Sequence, residues 1–534
     1  MKVSRGEMMR RVQVLKPGRS VFDLSYSKKM SGRMGYLYPM MADEVVPGDV
    51  FEIGADAVIR FAPMVAPVLH EITLKADWFF VPYRLLGSRD ALGVDGHTHW
   101  ERFITGGQNG TSVTTRANLG LVNMNGAAVT EGSLADHLGY PVGVTLGTSY
   151  GQDSPLAFPM QAYMLIWNEY YRDPNLESEE QYWGNFAATT NLKYANWEAD
   201  YFTRALPWQQ RGTAPALPVS GSTTAVWPDA AFVQTSPAGS VTGTAGFETV
   251  ASQDRMQTGT DANAFANAKA FFARNTVDLS SATTFNVSDI RLAVQIQRWL
   301  ERNARSGTRY TEFLNAHFGT APRDERIGRP EYIGGIRQPI IISEVLQTSQ
   351  TGTTPQGNLA GHGIMAGSHY VGKYHVKEYG LIMCLMSIQP KPAYQQGINR
   401  QWLRQTKYDF YHPEFANLSE QGIYNAEIYT QAAEATNMTV WGYQGRYDEM
   451  RVKHDQVAGA FKSTLNYWHL GRIFSGLPAL SSTFGKVDPT TVTRIFAVPA
   501  ADHLYVHWGN RIKAIRPLPY QSNPGLMDHD FGGY

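Results

Sequence analysis

The sequence predicts a mainly β fold, an antiparallel sandwich with elaborated loops, and three observations predict it. Runs rich in β-branched and aromatic residues at strand length fall into two groups, near residues 50–82 and 338–508. Long polar stretches without a sustained period separate these groups. Composition agrees: 50 Gly, 28 Pro and 12% aromatic residues suit many short strands and turns better than a helical bundle. At 534 residues and 43% hydrophobic content, the chain can bury a large core, either as several domains or as one domain with large insertions.

Formal net charge is zero, so nothing global calls for a polyanionic partner. The first 36 residues depart from that balance, with nine Lys and Arg against Glu7 and Asp23. This polar segment has no sustained period and reads as an extended arm whose charge suits phosphate contact. Its alternative reading is a merely soluble tail.

From Pro47 the texture changes. Val50–Ala62 and Ile72–Val81 alternate or run apolar with Gly and Pro at their edges, as strands do. Residues 87–155 form an elaborated insertion, too long for a simple loop. His97 and His99 would share one face of a strand, but no third ligand is spaced nearby, so no metal site is expected. Gly147–Gly151 fits G-x-S-x-G only formally, because no helix follows the serine. A helix is expected at Leu156–Arg172, opened by Ser154-Pro155 and stopped by Asp173-Pro174. The aromatic stretch Asn191–Trp208 reads as core or subunit interface, or else as a platform where bases or sugars stack. Residues 212–287 are rich in Ala, Ser, Thr and Gly with a slight acidic excess, and a helix is plausible at Ala262–Arg274.

Strand texture returns after Pro330, at Gln338–Ser343, Gly372–Ile388, Thr439–Gly442, Val492–Val498 and Leu504–Trp508. Gln350–Gly367 reads as a Gly/Thr-rich loop. Lys407–Tyr429 reads as an aromatic, irregular excursion of the kind that packs against neighbours. Arg511–Tyr534 reads as a tail outside any element. The single cysteine, Cys384, lies in the apolar run LIMCLMSI and is expected to be a buried small hydrophobe. No disulfide within the chain and no thiolate metal cluster are possible. No secretion signal and no bilayer-length apolar run are visible, so a soluble protein made in a reducing compartment is expected. No P-loop, H-E-x-x-H, EF-hand or zinc pattern appears, and catalytic residues, metal ligands and cofactors are therefore expected to be none.

The densest helical signal runs from Asp289. Leu292, Ile296 and Trp299/Leu300 share one helix face, Ser288 and Asp289 open the helix, and Gly307 closes it. The run beyond it, GTRYTEFLNAHFG and then RPEYIGG, resembles the major capsid proteins of the Microviridae, the small circular single-stranded DNA phages, and in particular their gokushovirus-like branch. Further blocks carry the same resemblance in the same order: Tyr36–Leu86, Leu165–Pro174, Asp200–Gly212, Trp468–Phe484 and Arg516–His529.

The resemblance implies a single eight-stranded antiparallel jelly roll with large insertions and a few helices. Its parts are then a basic interior arm at 1–36, the first part of the jelly roll at 37–86, inserted loops and a helix at 87–211, a large surface insertion at 212–287, and a helix with the remainder of the jelly roll and a tail at 288–534. It further implies self-assembly into a T=1 icosahedral virion made in the bacterial cytoplasm, with 212–287 as a threefold protrusion for attachment to a host receptor. Implied partners are copies of the chain, packaged single-stranded DNA, a scaffold, a small DNA-binding protein and a pilot protein, without membrane insertion. Charge alone nominates Lys2, Arg5, Arg10, Arg11, Lys16 and Arg19 for DNA contact, with Arg511, Lys513 and Arg516 after them. The competing expectation is a β-sandwich carbohydrate-binding or glycan-processing protein using Trp and Tyr platforms.

Overall fold

The computed structural model describes residues 18–87, 98–105, 119–123, 128–145, 154–215, 248–249, 256–257, 287–346 and 359–521. Two compact units result: Gln210–Arg302, and the rest of the chain.

The larger unit is built on two antiparallel sheets. The strands in chain order are β1 (Ser20–Asp23), β2 (Tyr26–Gly32), β3 (Tyr38–Val45), β4 (Val50–Phe61), β5 (Ile72–Pro82), β6 (Glu331–Pro339), β7 (Ile341–Leu346), β8 (Leu359–His375), β9 (Gly380–Pro390), the hairpin pair β10 (Glu420–Tyr424) and β11 (Val440–Gly445), and β12 (Leu504–Arg516). The first sheet runs β1–β12–β4–β8–β7, with β2 also on β12, and the second runs β6–β5–β9–β3. The chain crosses between sheets from β2 to β3, β3 to β4, β4 to β5, β6 to β7, β8 to β9 and β9 to β12, which is the jelly-roll winding. Strands β1 and β2 together fill one edge position, and β7 is an added edge, so the eight-stranded plan holds.

The core lies between the sheets, where Trp78 of β5 and Trp508 of β12 stack at 6.0 Å. Trp508 Nε1 donates to Asn510 Oδ1 at 2.9 Å, and Asn510 Nδ2 donates to Met40 O at 3.1 Å. This hydrogen-bonded link ties β12 to β3 across the apolar layer.

Most of the mass lies in two connections. The one from β5 to β6 carries α1 (His99–Thr105) and α2 (Phe158–Ile166), the latter continued by a π turn, Trp167–Tyr171. Tyr163 of α2 is fully buried, donating to Leu37 O at 2.9 Å and accepting from Lys193 N at 2.9 Å. Phe158 meets Tyr83 at 4.5 Å and Tyr170 meets Phe79 at 4.7 Å, so this layer covers the outer face of the second sheet. The same connection includes α3 (Val287–Ser306), much of which falls in the smaller unit, and α4 (Tyr310–Phe318). A smaller core gathers Tyr394, Ile423, Ile428 and Phe484 of the connection from β9 to β12 with Tyr201 and Phe202.

In the smaller unit, Glu248–Thr249 pairs with Met256–Gln257, and Arg211 N donates to Leu300 O at 3.4 Å. Helix α3 lies where the sequence places it, and Gly307 beyond it has φ +94°. Its expected apolar face is only partly buried: Leu300 is buried, whereas Leu292, Ile296 and Trp299 are exposed. The helix expected at Ala262–Arg274 and the GTSYG run lie outside the described residues.

The fold departs from expectation in several stretches, and within Lys407–Tyr429, expected to be irregular, Glu420–Tyr424 is strand β10. From Ser20 the expected arm is sheet: β1 pairs with β12 at Asp23↔Lys513, and β2 pairs with β12 at Lys29↔His507. The local pattern hides this because the strand breaks at Leu24-Ser25, where Ser25 Oγ accepts from Ile512 N at 3.1 Å in place of a backbone carbonyl. Gln338–Ser343 and Gly372–Ile388 each straddle two strands that belong to different sheets. Of the expected loop Gln350–Gly367, residues from Leu359 on are β8, and the rest lies outside the described residues. Glycine made β8 look like loop, yet the sheet needs it: a Cβ at Gly361 would lie 2.4 Å from Ala66 O. Val492–Val498 is a series of turns rather than a strand, with Val492, Ile495 and Phe496 buried. Arg511–Arg516, expected in a tail, is the second half of β12, with Ile512 and Ala514 turned into the core.

Candidate assembly and nucleic-acid surfaces

The quoted sequence blocks become joints between elements. Arg309 of the GTRYTEF run donates to Asn168 O at 3.1 Å and Arg172 O at 2.8 Å, capping the last carbonyls of the α2 π turn. Arg329 of the RPEY run pairs with Asp324 at 3.1 Å and lies 4.4 Å from the Tyr170 ring. Asp200 accepts from Phe202 N at 3.0 Å and from Tyr394 Oη at 2.7 Å. Arg472 lies 4.0 Å from the Phe484 ring and donates to Phe484 O at 2.7 Å. These charges hold chain segments together.

The open face of the first sheet mixes charged side chains along β12 with apolar ones, Val58 on β4 and Ile341 and Val345 on the edge strand β7. Along β12 the outward residues are Tyr505, His507, Arg511 and Lys513, and the residues between them turn inward. Lys29 and Arg60 are exposed on neighbouring strands. Lys373 pairs with Glu52 at 3.1 Å on the same face. The result is a face of mixed sign rather than a uniform cationic field.

The nominated DNA residues divide on this structure. Lys2, Arg5, Arg10, Arg11 and Lys16 lie outside the described residues, and Arg19 is exposed just before β1. Lys513 is exposed opposite Glu52. Arg511 pairs with Asp56 at 3.2 Å and donates to His369 O at 3.1 Å. Arg516 makes a two-pronged contact with Asp49, at 2.9 and 3.2 Å, and the Asp49 side chain is 0% exposed. Arg516 is therefore committed to the fold, because leaving would strand a buried carboxylate. Lys28, counted in the basic arm, also turns inward. Its amine donates to Pro39 O at 2.5 Å and to His137 O, and burial pushes its pKa down to about 8.

The aromatic stretch at 191–208 resolves mostly as core. Tyr201 and Phe202 are buried, and Trp197, 7% exposed, carries the Arg472 guanidinium 5.2 Å from its ring. Trp197 borders a cleft of about 530 Å³ with Asp77 and Tyr332, yet its ring offers no open platform for a sugar. Cys384 is buried in β9, and burial raises its thiol pKa well above the usual value. His99 opens α1 rather than a strand, and His97 lies outside the described residues. Among the described residues no three His, Cys, Asp or Glu side chains converge as metal ligands, and no helix is long and apolar enough to cross a membrane.

A jelly roll fixes the class of fold and leaves the role open, because the same architecture carries unrelated functions. The chain belongs to the capsid protein (F protein) family, whose model matches residues 11–526. It is similar to capsid protein VP1 of Chlamydia phage 1, 32% identical over 95% of this chain and 96% of the relative. Capsid protein VP1 of Bdellovibrio phage phiMH2K is 32% identical over 91% of each chain, and that of Spiroplasma virus 4 is 30% identical over 95% of each. These are the gokushovirus-like Microviridae that the sequence blocks resemble. As a major capsid protein the chain has a structural role, assembles with its own copies into a shell, and resides in the virion.

Proposed function

We propose that the chain forms a T=1 icosahedral shell around circular single-stranded DNA, with its N-terminal basic segment against the phosphates. The observation that carries this is the point where that segment enters the fold. Arg19 leads directly into β1, whose neighbour β12 exposes Lys513 and Arg511 on the open sheet face, so the basic run adds its charge where cations and the acids Glu52 and Asp56 lie side by side. Phosphate contacts of this kind position nucleic acid without reading its sequence, as a shell that encloses any stretch of a genome requires. Lys2, Arg5, Arg10, Arg11, Lys16 and Arg19 are the contributors, with Lys513 and Arg511 beside them; Arg516 serves the fold. The role is not enzymatic. Assembly takes place in the cytoplasm of a bacterial host with a scaffold, a small DNA-binding protein and a pilot protein, and residues 212–287 form the threefold protrusion that meets the host receptor.

Electron microscopy of purified particles, with the ratio of absorbance at 260 and 280 nm on the same fraction, tests this reading. Uniform small icosahedra with a high ratio are expected. Replacing the six N-terminal basic residues with Gln should lower the DNA content and the salt stability of those particles. Unchanged DNA content and salt response would remove the N-terminal segment from the proposal.

A further inference from the structure

Between β9 and β10 the chain passes through three single-turn helices, Arg400–Trp402, Lys407–Asp409 and Pro413–Phe415. Here Trp402 is 75% exposed, Tyr408 56%, Phe410 52%, Tyr411 52% and Leu418 54%. Aromatic side chains present about 150–250 Å² each, so four rings exposed to this degree offer on the order of 500 Å². That is the size of patch that marks an interaction site on a soluble protein. It also amounts to more than half of the roughly 800 Å² that one partner contributes to a standard interface.

The loop is fixed in place rather than loosely draped. Asp409 accepts from Thr406 N at 2.8 Å and from Gln405 N at 3.0 Å. Buried Tyr447 donates its hydroxyl to Phe410 O at 3.1 Å and accepts from His412 N at 3.3 Å. Arg446 donates to Tyr408 O at 2.9 Å. Tyr447 itself has φ +64°, a left-handed conformation that a bulky residue keeps only where its surroundings hold it. A loop already set in its exposed form loses little freedom when it docks.

We infer that this aromatic loop is a contact between neighbouring copies of the chain in the shell, an inference that rests on the shell-forming reading. A capsid subunit is surrounded by its own copies, and its interfaces must remove apolar surface of this kind from water. The loop's arginines are already engaged within the chain: Arg400 pairs with Glu427 at 2.7 Å, and Arg404 lies 3.8 Å from Glu449. Its one exposed cation, Lys407, lies 5.0 Å from the Tyr408 ring, and the rings supply most of what the loop presents, which suits a protein surface better than phosphate. The same chain carries an apolar surface to receive it. Strand β7 ends the first sheet, and Ile341 and Val345, which share its open face, are 69% and 51% exposed, while Leu346 at its end, on the other face, is 53% exposed. Loop against β7 makes a heterologous contact, one face from each copy, of the kind that closes rings.

The test places the photo-reactive residue p-benzoylphenylalanine at position 402, in particles made with the complete set of phage proteins. Illumination should join two copies of the chain, with the attached peptide mapping to Ile341–Leu346. Attachment to a different protein, or no attachment in intact particles, would overturn the loop as a copy-to-copy contact. Attachment to another part of a copy would overturn the β7 half of the inference. Failure of the unsubstituted chain to form particles would overturn the shell reading itself, and the inference with it. In a second measurement, Trp402→Ser combined with Tyr408→Ser should raise the concentration needed for assembly at least about tenfold, the effect of truncating interface anchors. Thermal unfolding of the unassembled chain should be unchanged. Assembly at the original concentration would overturn the proposal.

Discussion

Strands β9 and β12 sit in the middle of facing sheets, yet they read quite differently. In β9 every residue but Gln389 is buried, because the first sheet covers one face and the β5–β6 connection covers the other. In β12 buried and exposed residues alternate, because one face of its sheet is left open. The second sheet is the middle layer of a three-layer stack, whereas the first is an outer layer. A substitution's cost should therefore follow the layer a residue faces rather than the sheet it belongs to.

The largest effects should fall on covered positions of either sheet. Trp508→Ala, between the sheets, and Phe79→Ala, under Tyr170, should each destabilise the unassembled chain by about 3–5 kcal/mol in denaturant titration. A small loss at Phe79 would mean that the outer layer does not seal the second sheet.

The ion pairs of β12 sharpen the contrast within one strand. Arg516→Ala leaves Asp49 buried without its partner and should cost about 3 kcal/mol. Arg511→Ala, whose pair with Asp56 is half exposed, should cost about 1 kcal/mol or less. Similar losses at the two sites would show that burial does not separate them.

Burial also sets a pH response. His503 and His70 are both pushed down to about 4, desolvation being the main cause in each. Below the ordinary value of 6.5 the unfolded chain takes up protons that the folded chain refuses. Their contribution is thus full above pH 6.5 and is lost as pH falls toward 4, by at most about 1.4 kcal/mol per pH unit for each histidine. His503→Gln should flatten the fall in stability measured over that range, and an unchanged slope would assign it to other groups. The smallest effect belongs to the open face: Tyr505→Ala, half exposed, should change stability by no more than about 0.5 kcal/mol. A larger loss in the unassembled chain would mean that this face is covered.

The sequence was most legible where one rule decided the structure. Val50–Phe61 and Ile72–Pro82 alternate or run apolar between turn residues, and both form strands close to the expected bounds. Helix α2 and its π turn follow their Pro and Asp-Pro signals, and α3 ends before Gly307. Legibility failed where distant partners overrode local signals. The strand expected at Leu504–Trp508 runs on through Gly509-Asn510, because β4 and β2 pair on either side and Asn510 finds Met40 O. Glycine-rich β8 looks like loop, yet close approach of Ala66 and the Phe61 ring requires its glycines.

The basic residues show the same division. Counting charge identified Arg516 and Lys28 as cations, but charge counts cannot tell an exposed cation from one held inward by Asp49 or by two backbone carbonyls. The strand-rich class, the order of the blocks that mark the capsid family and the buried place of Cys384 could all be read from the chain alone, since apolar pattern and block order are local properties. Folding was needed to settle which sheet has a second cover, which arginines are joints and which aromatics face outward. Those outcomes depend on contacts between residues far apart in the chain, where desolvation and pairing outweigh local preference.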